Sequence, residues 1–377
     1  MPQKLIRMTT IDGSLDGLLK GQLRFLAKHF EVIGVANDSG RLEKVAQREG
    51  IRTIGVPMHR EISLWADCKS LWNLIKLFRK DRPHILHVNT PKASLLGMVA
   101  AWVCRVPHRI YYVTGLRFET THGILRFILK TMERITCLCA NKVIPEGDGV
   151  KATLLRENIT RKPMQKILNG NINGIDLQHF DRTEEVMQAA ENIRQGSKDF
   201  TFIFIGRMVR DKGINELVSA FDRLTEQYSD VKLLLVGKFE DELDPVLPQT
   251  KERIENNPKI EFVGYQSDVR PFLAASDVAV LPSYREGFPN VIIQAGAMGL
   301  AQIVTDINGC NEVVINGRNG LIIPKQDEQA LYNAMLQLVG DRALTSQMTT
   351  EARELIASRY DQQDLWQAVL EMYQQLD

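Results

Sequence analysis

Two loops of this sequence gather the residue types that hold phosphates and polyols. Pro282-Ser283-Tyr284-Arg285-Glu286-Gly287-Phe288-Pro289-Asn290 feeds an apolar helix expected over Val291 to Met298. A helix N-terminus attracts anions, Gly287 allows close backbone approach, and Pro289 with Asn290 suits a helix start. Glu286 follows an apolar strand, and an unpaired carboxylate is costly to bury, so it is paired, exposed or bound to a ligand. The second loop, Gly206-Arg207-Met208-Val209-Arg210-Asp211-Lys212-Gly213, opens a helix through Leu217 and Phe221. Its cations can clamp a diphosphate, with a solvated turn as the competing reading.

Other segments carry weaker signals. Ile11-Asp12-Gly13-Ser14-Leu15-Asp16-Gly17 is a glycine-bearing loop before a helix expected from Leu18, equally readable as a simple turn. It is not GxGxxG, and no GxxxxGK[ST] occurs, so nicotinamide and P-loop sites lose their usual fingerprints. Asn308-Gly309-Cys310-Asn311-Glu312 reads as a helix cap. His122, past the strand containing Tyr111 and Tyr112, is either functional or a surface or capping histidine, with Glu119 a rival in the same loop. No metal site is expected. The acidic run Glu240 to Asp244 lacks a DxD pair and reads as a solvated loop, and neither His84 with His87 nor Cys137 with Cys139 suggests a metal centre.

The elements that position these loops alternate strand and helix. Apolar runs at Lys4–Met8, Glu31–Val35, Ile51–Val56, Ile85–Val88 and Arg109–Val113 are separated by helical patterns at Leu18–His29, Arg41–Glu49, Leu64–Lys80, Ala93–Cys104 and Gly123–Ala140. A second series has strands at Phe200–Ile205, Val231–Val236, Ile260–Val263, Val278–Leu281, Ala301–Thr305 and Gly320–Ile323. This alternation predicts parallel sheets with crossover helices, hence an α/β chain of two doubly wound Rossmann-like domains. Ligands of such sheets bind beyond the carboxyl ends of the strands, where the loops above lie.

The length of 377 residues suits two or three domains, and charge divides the chain the same way. Residues 1–180 carry 28 Lys and Arg against 15 Asp and Glu, while the remainder carries 19 against 31. The first half therefore attracts phosphates, nucleic acid or an anionic membrane, unless the two halves only attract each other. No motif or aromatic stripe supports nucleic acid. A basic amphipathic stretch, with Leu64, Trp65, Leu71, Trp72, Ile75, Leu77 and Phe78 beside Lys69, Lys76, Arg79, Lys80 and Arg82, can lie on an anionic membrane or be an ordinary half-buried helix. No apolar run spans a bilayer, the first residues read as a strand, and the 5 cysteines fit reduced thiols. A cytoplasmic protein, peripheral at the inner membrane face, is expected.

The stretches IGRMVRDKGINELVSAF, FVGYQSDVRPFLAASDVAVLPSYREGFPNVIIQAGAMG and NGCNEVVINGRNGLIIP resemble the retaining nucleotide-sugar glycosyltransferases of family four. The amino half matches less tightly, through the glycine loop, HILHVNTPKASLLG and NGNINGID, and resembles transferases that build capsule, O-antigen or lipid-linked oligosaccharide. The resemblance implies the GT-B fold, with two domains facing across a cleft: an acceptor-side domain at 1–180, a linker at 181–198, a nucleotide-sugar domain at 199–357, and a helix at 358–377 returning to the first. It implies retaining, metal-independent transfer from a nucleoside-diphosphate sugar, UDP-linked and of N-acetylhexosamine type, to a lipid-linked or polysaccharide acceptor, with no cofactor beyond that donor.

Carried over residue by residue, Arg207 and Lys212 hold the diphosphate and Glu286 the sugar hydroxyls. His122 faces the donor. Gly17, Gly206, Gly287, Phe288, Pro289 and the amides of Asn290 and Val291 line its site. The family has a second glutamate eight positions after the first; here Gln294 stands there and would meet the ribose as an amide. An epimerase or hydrolase of the same fold, or a non-catalytic donor-binding subunit, remains the alternative.

Overall fold

The computed structural model describes residues 2–59, 63–240, 242 and 244–376. They form two units, residues 1–174 with 362–377 and residues 175–361. The first contains β1 (Lys4–Ile11), α1 (Asp12–Leu18), α2 (Gln22–Leu26), β2 (Glu31–Asn37), α3 (Leu42–Glu49), β3 (Arg52–Gly55) and α4 (Leu64–Asp81). It continues with β4 (Ile85–Val88), α5 (Pro91–Val103), β5 (His108–Val113), α6 (Gly123–Cys139), β6 (Lys142–Pro145) and α7 (Asp148–Arg156). All six strands are parallel, in the order β3-β2-β1-β4-β5-β6.

The order reverses direction after β3, so right-handed crossovers place α1 to α3 on one face and α4 to α6 on the other. Leu74 and Phe78 of α4, Ala93 and Met98 of α5, and Leu129 and Cys137 of α6 accordingly share one core. Leu15, Leu23 and Val45 share the opposite one with Leu365, Val369 and Tyr373.

The second unit contains α8 (Glu184–Arg194), β7 (Phe200–Ile205), α9 (Ile214–Thr225), β8 (Val231–Val236), α10 (Pro248–Asn256), β9 (Ile260–Gly264) and α11 (Arg270–Ala274). Then come β10 (Val278–Leu281), α12 (Asn290–Ala297), β11 (Ala301–Thr305), α13 (Cys310–Val313), β12 (Gly320–Ile323), α14 (Glu328–Gly340) and α15 (Arg342–Tyr360). Its parallel sheet runs β12-β11-β10-β7-β8-β9, and α16 (Gln362–Gln374) belongs to the first unit.

Three expectations change. The stretch 181–198 is not a plain linker: it holds α8, capped by the Thr183 hydroxyl, whose Val186 and Ala190 are buried with Leu273, Ala274 and Ala275. The boundaries fall at 174/175 and 361/362, not at 180 and 357. The helix expected over Leu18–His29 begins at Asp12 and is broken at Gly21, which has φ +80° and lies so close to the Trp366 ring that a Cβ would sit 2.6 Å from it.

One buried acid gives the first unit a pH dependence. Glu133 accepts a 2.7 Å hydrogen bond from Tyr111, yet burial pushes its pKa up from 4.5 to about 7. Between those values the folded chain keeps a proton that the unfolded chain releases, so stability falls as pH rises through that window. Glu133→Gln should flatten this part of the dependence, measured as the thermal midpoint at about pH 5 and about pH 8. An equal slope in variant and wild type would contradict the assignment.

Candidate active site

Because β7 and β10 are sheet neighbours, the loops that follow them lie side by side. Gly213 has φ +72°, and a Cβ there would sit 2.1 Å from the Pro282 carbonyl oxygen. The Tyr284 amide donates to the Asp211 carbonyl at 2.8 Å, and the Ser283 hydroxyl donates to the same oxygen at 3.3 Å. Contacts such as Ser283 to Asp211, 72 residues apart in sequence, thus hold the two loops as one surface. Gly309 adds a third: it has φ +76°, and a Cβ would fall 2.5 Å from the Gly287 carbonyl oxygen.

The result is an ion pair between the Lys212 ammonium and the Glu286 carboxylate, with side chains only 16% and 15% exposed. Gly213→Ala should separate the loops, since strain of this kind costs roughly 1–3 kcal/mol before the clash is counted. A thermal melt should show a lowered midpoint; an unchanged one would mean that the loops are not locked here.

Acidic residues from the loop after β8 return onto this surface. Glu240 pairs with Arg207 at 2.8 Å, and Asp244 pairs with Arg210 at 3.1 Å while also accepting the Asp211 amide at 2.7 Å. The solvated-loop reading of Glu240 to Asp244 is therefore corrected at both ends; Asp241 and Leu243 lie outside the described residues. Arg285 pairs with Asp211 at 2.9 Å, and the Tyr284 hydroxyl donates to Glu216. Sequence reasoning misses these partners because they depend on sheet order. The acidic run just after the strand Val231–Val236 is the signal that could find them.

The helix α12 starts one residue earlier than expected, at Asn290, with Pro289 in the N-cap position. Asn290 and Val291 supply its opening amides, while Ile292 N–H already bonds to the Pro289 carbonyl at 3.0 Å. Gln294 is half-buried, and among the described residues its side chain makes no hydrogen bond. Phe288 differs from expectation: its ring is a core residue, edge-on to Tyr360 with centroids 5.7 Å apart, so only its backbone can line a site. Gly206 closes the end of β7, its amide donating to the Val236 carbonyl at 2.9 Å. Behind the ion pair, burial pushes the Cys310 thiol well up, aided by the Glu286 charge and opposed by Lys212.

Gly17 and His122 belong to the first unit. The expected glycine loop is helical, and Gly17 sits exposed in the last turn of α1. Asp12, at the start of α1, is already held: its carboxylate accepts from the amides of Gly13, Ser39 and Arg41 at 2.7, 2.7 and 3.0 Å. Burial alone would raise the Asp12 pKa, but these bonds and that of the Ser39 hydroxyl hold it below its usual value. His122 is exposed in the N-cap position of α6 without a capping hydrogen bond, and Glu119 accepts from the Thr153 hydroxyl at 3.1 Å. His87 is buried and shares a 2.5 Å hydrogen bond with the Tyr373 hydroxyl, while Cys137 and Cys139 are buried on α6. Among the described residues, no group of three or more His, Cys, Asp or Glu is placed to hold a metal.

Cations, a carboxylate and a helix start are thus gathered as a candidate site at the carboxyl ends of β7 and β10, and the two halves of the chain each match a described family. Residues 22–170 match the glycosyl transferase 4-like domain, and residues 199–341 match the glycosyl transferases group 1. The chain is 32% identical over 372 residues to the capsular polysaccharide biosynthesis glycosyltransferase CapM of Staphylococcus aureus, covering 98% of this chain and 97% of that one. It belongs to glycosyltransferase family four.

This family-four glycosyltransferase is also 29% identical to the UDP-Gal:alpha-D-GlcNAc-diphosphoundecaprenol alpha-1,3-galactosyltransferase of Escherichia coli, over 91% of each chain. Among solved structures it superposes on Anabaena Alr3699/HepE in complex with UDP and glucose with a TM-score of 0.82, at 17% identity and 99% coverage of each chain. That likeness establishes the GT-B fold, the architecture of two Rossmann-like units described above.

Proposed function

We propose that this glycosyltransferase moves a sugar from a UDP-sugar, of hexose or N-acetylhexosamine type, to an acceptor sugar carried on a polyprenyl diphosphate, with retention at the anomeric carbon and without a metal. The observation that carries the proposal is the Lys212–Glu286 pair, held by Gly213 against the β10 loop four residues before α12 opens. As the glycosidic bond breaks, charge grows on the leaving diphosphate. Lys212, Arg207 and the opening amides of α12 are the groups that stabilise it, the work a metal would otherwise do. Glu286 takes the sugar hydroxyls, and Gln294 meets the ribose through its amide. His122 and Gly17 are proposed to act on the donor from the first unit.

The donor reading is supported by the E. coli relative's UDP-Gal and by the Anabaena structures with UDP and UDP-glucose. The acceptor reading is supported by the diphosphoundecaprenol named for the E. coli relative and the diphospho-undecaprenol named for a Campylobacter jejuni relative that is 25% identical. Together with the S. aureus relative they favour a role in capsule or lipopolysaccharide O-antigen assembly, at the cytoplasmic face of the membrane, with the basic amino half against anionic lipid.

The test is incubation with a panel of UDP-sugars and a polyprenyl-diphosphate-linked N-acetylhexosamine, with chelator present and products read by mass and by anomeric NMR. One added sugar in the retained configuration is expected. Donor consumed without acceptor would favour the hydrolase or epimerase, and donor bound without turnover a binding subunit.

A further inference from the structure

Three of the protein's four tryptophans lie exposed on neighbouring helices of the first unit: Trp65 and Trp72 on α4 and Trp102 on α5, with α5 packed between α4 and α6. Trp65 is 90% exposed, and it shares a helical stripe with Lys69, Trp72, Lys76 and Arg79, all outward-facing. On α6, Ile124, Phe127, Ile128, Ile135 and Leu138 recur at intervals of three, four and seven residues and form a second outward stripe. Ile124 is 80% exposed, Leu138 75% and Phe127 68%. These helices fill the core with their other sides, through Leu74, Phe78, Leu129 and Cys137, so the outward stripes are additional to what folding requires.

Among the described residues, the exposed charge on α4, α5 and α6 has one sign. Lys69, Lys76, Arg79 and Arg105 are exposed. Every carboxylate on α4, α5 and α6 is turned inward: Asp67 pairs with Lys92 at 2.6 Å, Asp81 pairs with Arg52 at 2.9 Å, and Glu133 is buried against Tyr111. Contiguous exposed apolar surface marks an interaction site, and Trp suits a boundary that is wet on one side and apolar on the other.

We propose that the outer face of α4, α5 and α6 seats the enzyme on an anionic lipid bilayer. The α6 stripe enters the acyl boundary, Trp65, Trp72 and Trp102 lie at headgroup depth, and Lys69, Lys76, Arg79 and Arg105 meet lipid phosphates. This rests on the reading of a membrane-borne acceptor and specifies the surface that reaches it. A protein partner would have to be uniformly acidic and apolar over three helices, whereas an anionic bilayer offers both properties everywhere.

The experiment is co-sedimentation with phosphatidylcholine vesicles with and without phosphatidylglycerol. Wild type should bind only the anionic vesicles, with a blue shift of tryptophan emission, and high salt should release it. Lys69→Ala/Lys76→Ala/Arg79→Ala should weaken partitioning about 100-fold. Ile124→Ser/Phe127→Ser/Leu138→Ser, changed only at exposed positions, should lose binding with its thermal midpoint kept. No binding by wild type, equal binding by all three proteins, or a dimer that the serine variant dissolves would overturn the proposal. UDP binding, measured in parallel without vesicles, reports on the sugar-transfer reading by itself.

Discussion

Lys212→Ala should lower sugar transfer by about 10² to 10³, the usual loss when one preorganised charge is removed from a developing anion. The lysine is mostly buried and paired with Glu286, so its ammonium is already positioned before a ligand arrives. A diphosphate competes for the same donor protons and as a whole carries more charge than one carboxylate. The substitution has a second consequence, because it leaves Glu286 mostly buried without its partner, which costs stability in its own right. Lys212→Ala/Glu286→Ala separates the two effects: the thermal midpoint should recover relative to the single variant while transfer stays lost. Transfer near the wild-type rate in Lys212→Ala would remove the lysine from the mechanism. Arg207, paired with the more exposed Glu240, should matter less.

Glu286→Gln keeps the shape of the side chain and removes its charge. If Glu286 holds the sugar hydroxyls, the variant should bind UDP nearly as well as wild type and lose the extra affinity that the sugar provides. Hydrogen bonds to a charged acceptor contribute about 1.5–3 kcal/mol each, so transfer should fall between about 10-fold and 100-fold. Comparing dissociation constants for UDP and for the UDP-sugar in both proteins isolates this contribution. Equal losses for both ligands would instead mean that Glu286 acts by holding Lys212 in place.

Most strands are legible in the amino-acid order alone, and so are the positions of the residues proposed for the site. The strands of both sheets announce themselves as short apolar runs bounded by turn residues, and Arg207, Lys212 and Glu286 stand just past such runs. Elements governed by tertiary contact are less legible. The polar stretch 181–198 reads as a linker, yet Val186 and Ala190, with Ile193 packed beside them, dock α8. Strand β6 is only four residues long and ends in a proline, so it carries almost no pattern of its own.

The break at Gly21 depends on Trp366, at the far end of the chain, which no local signal contains. The Arg207–Glu240 and Arg210–Asp244 pairs follow from β8 lying beside β7, a fact of sheet order. The two apolar sides of α6 are hidden for another reason. Periodicity shows that a helix is apolar, but not which of two apolar stripes faces the core.

Calorimetric titration of UDP into wild type, Lys212→Ala and Glu286→Gln tests the donor-site assignment most directly. The account predicts one site in wild type, binding weakened at least about tenfold in Lys212→Ala, and little change in Glu286→Gln. No heat of binding in wild type, or the same affinity in all three, would contradict the placement of the nucleotide sugar on these loops.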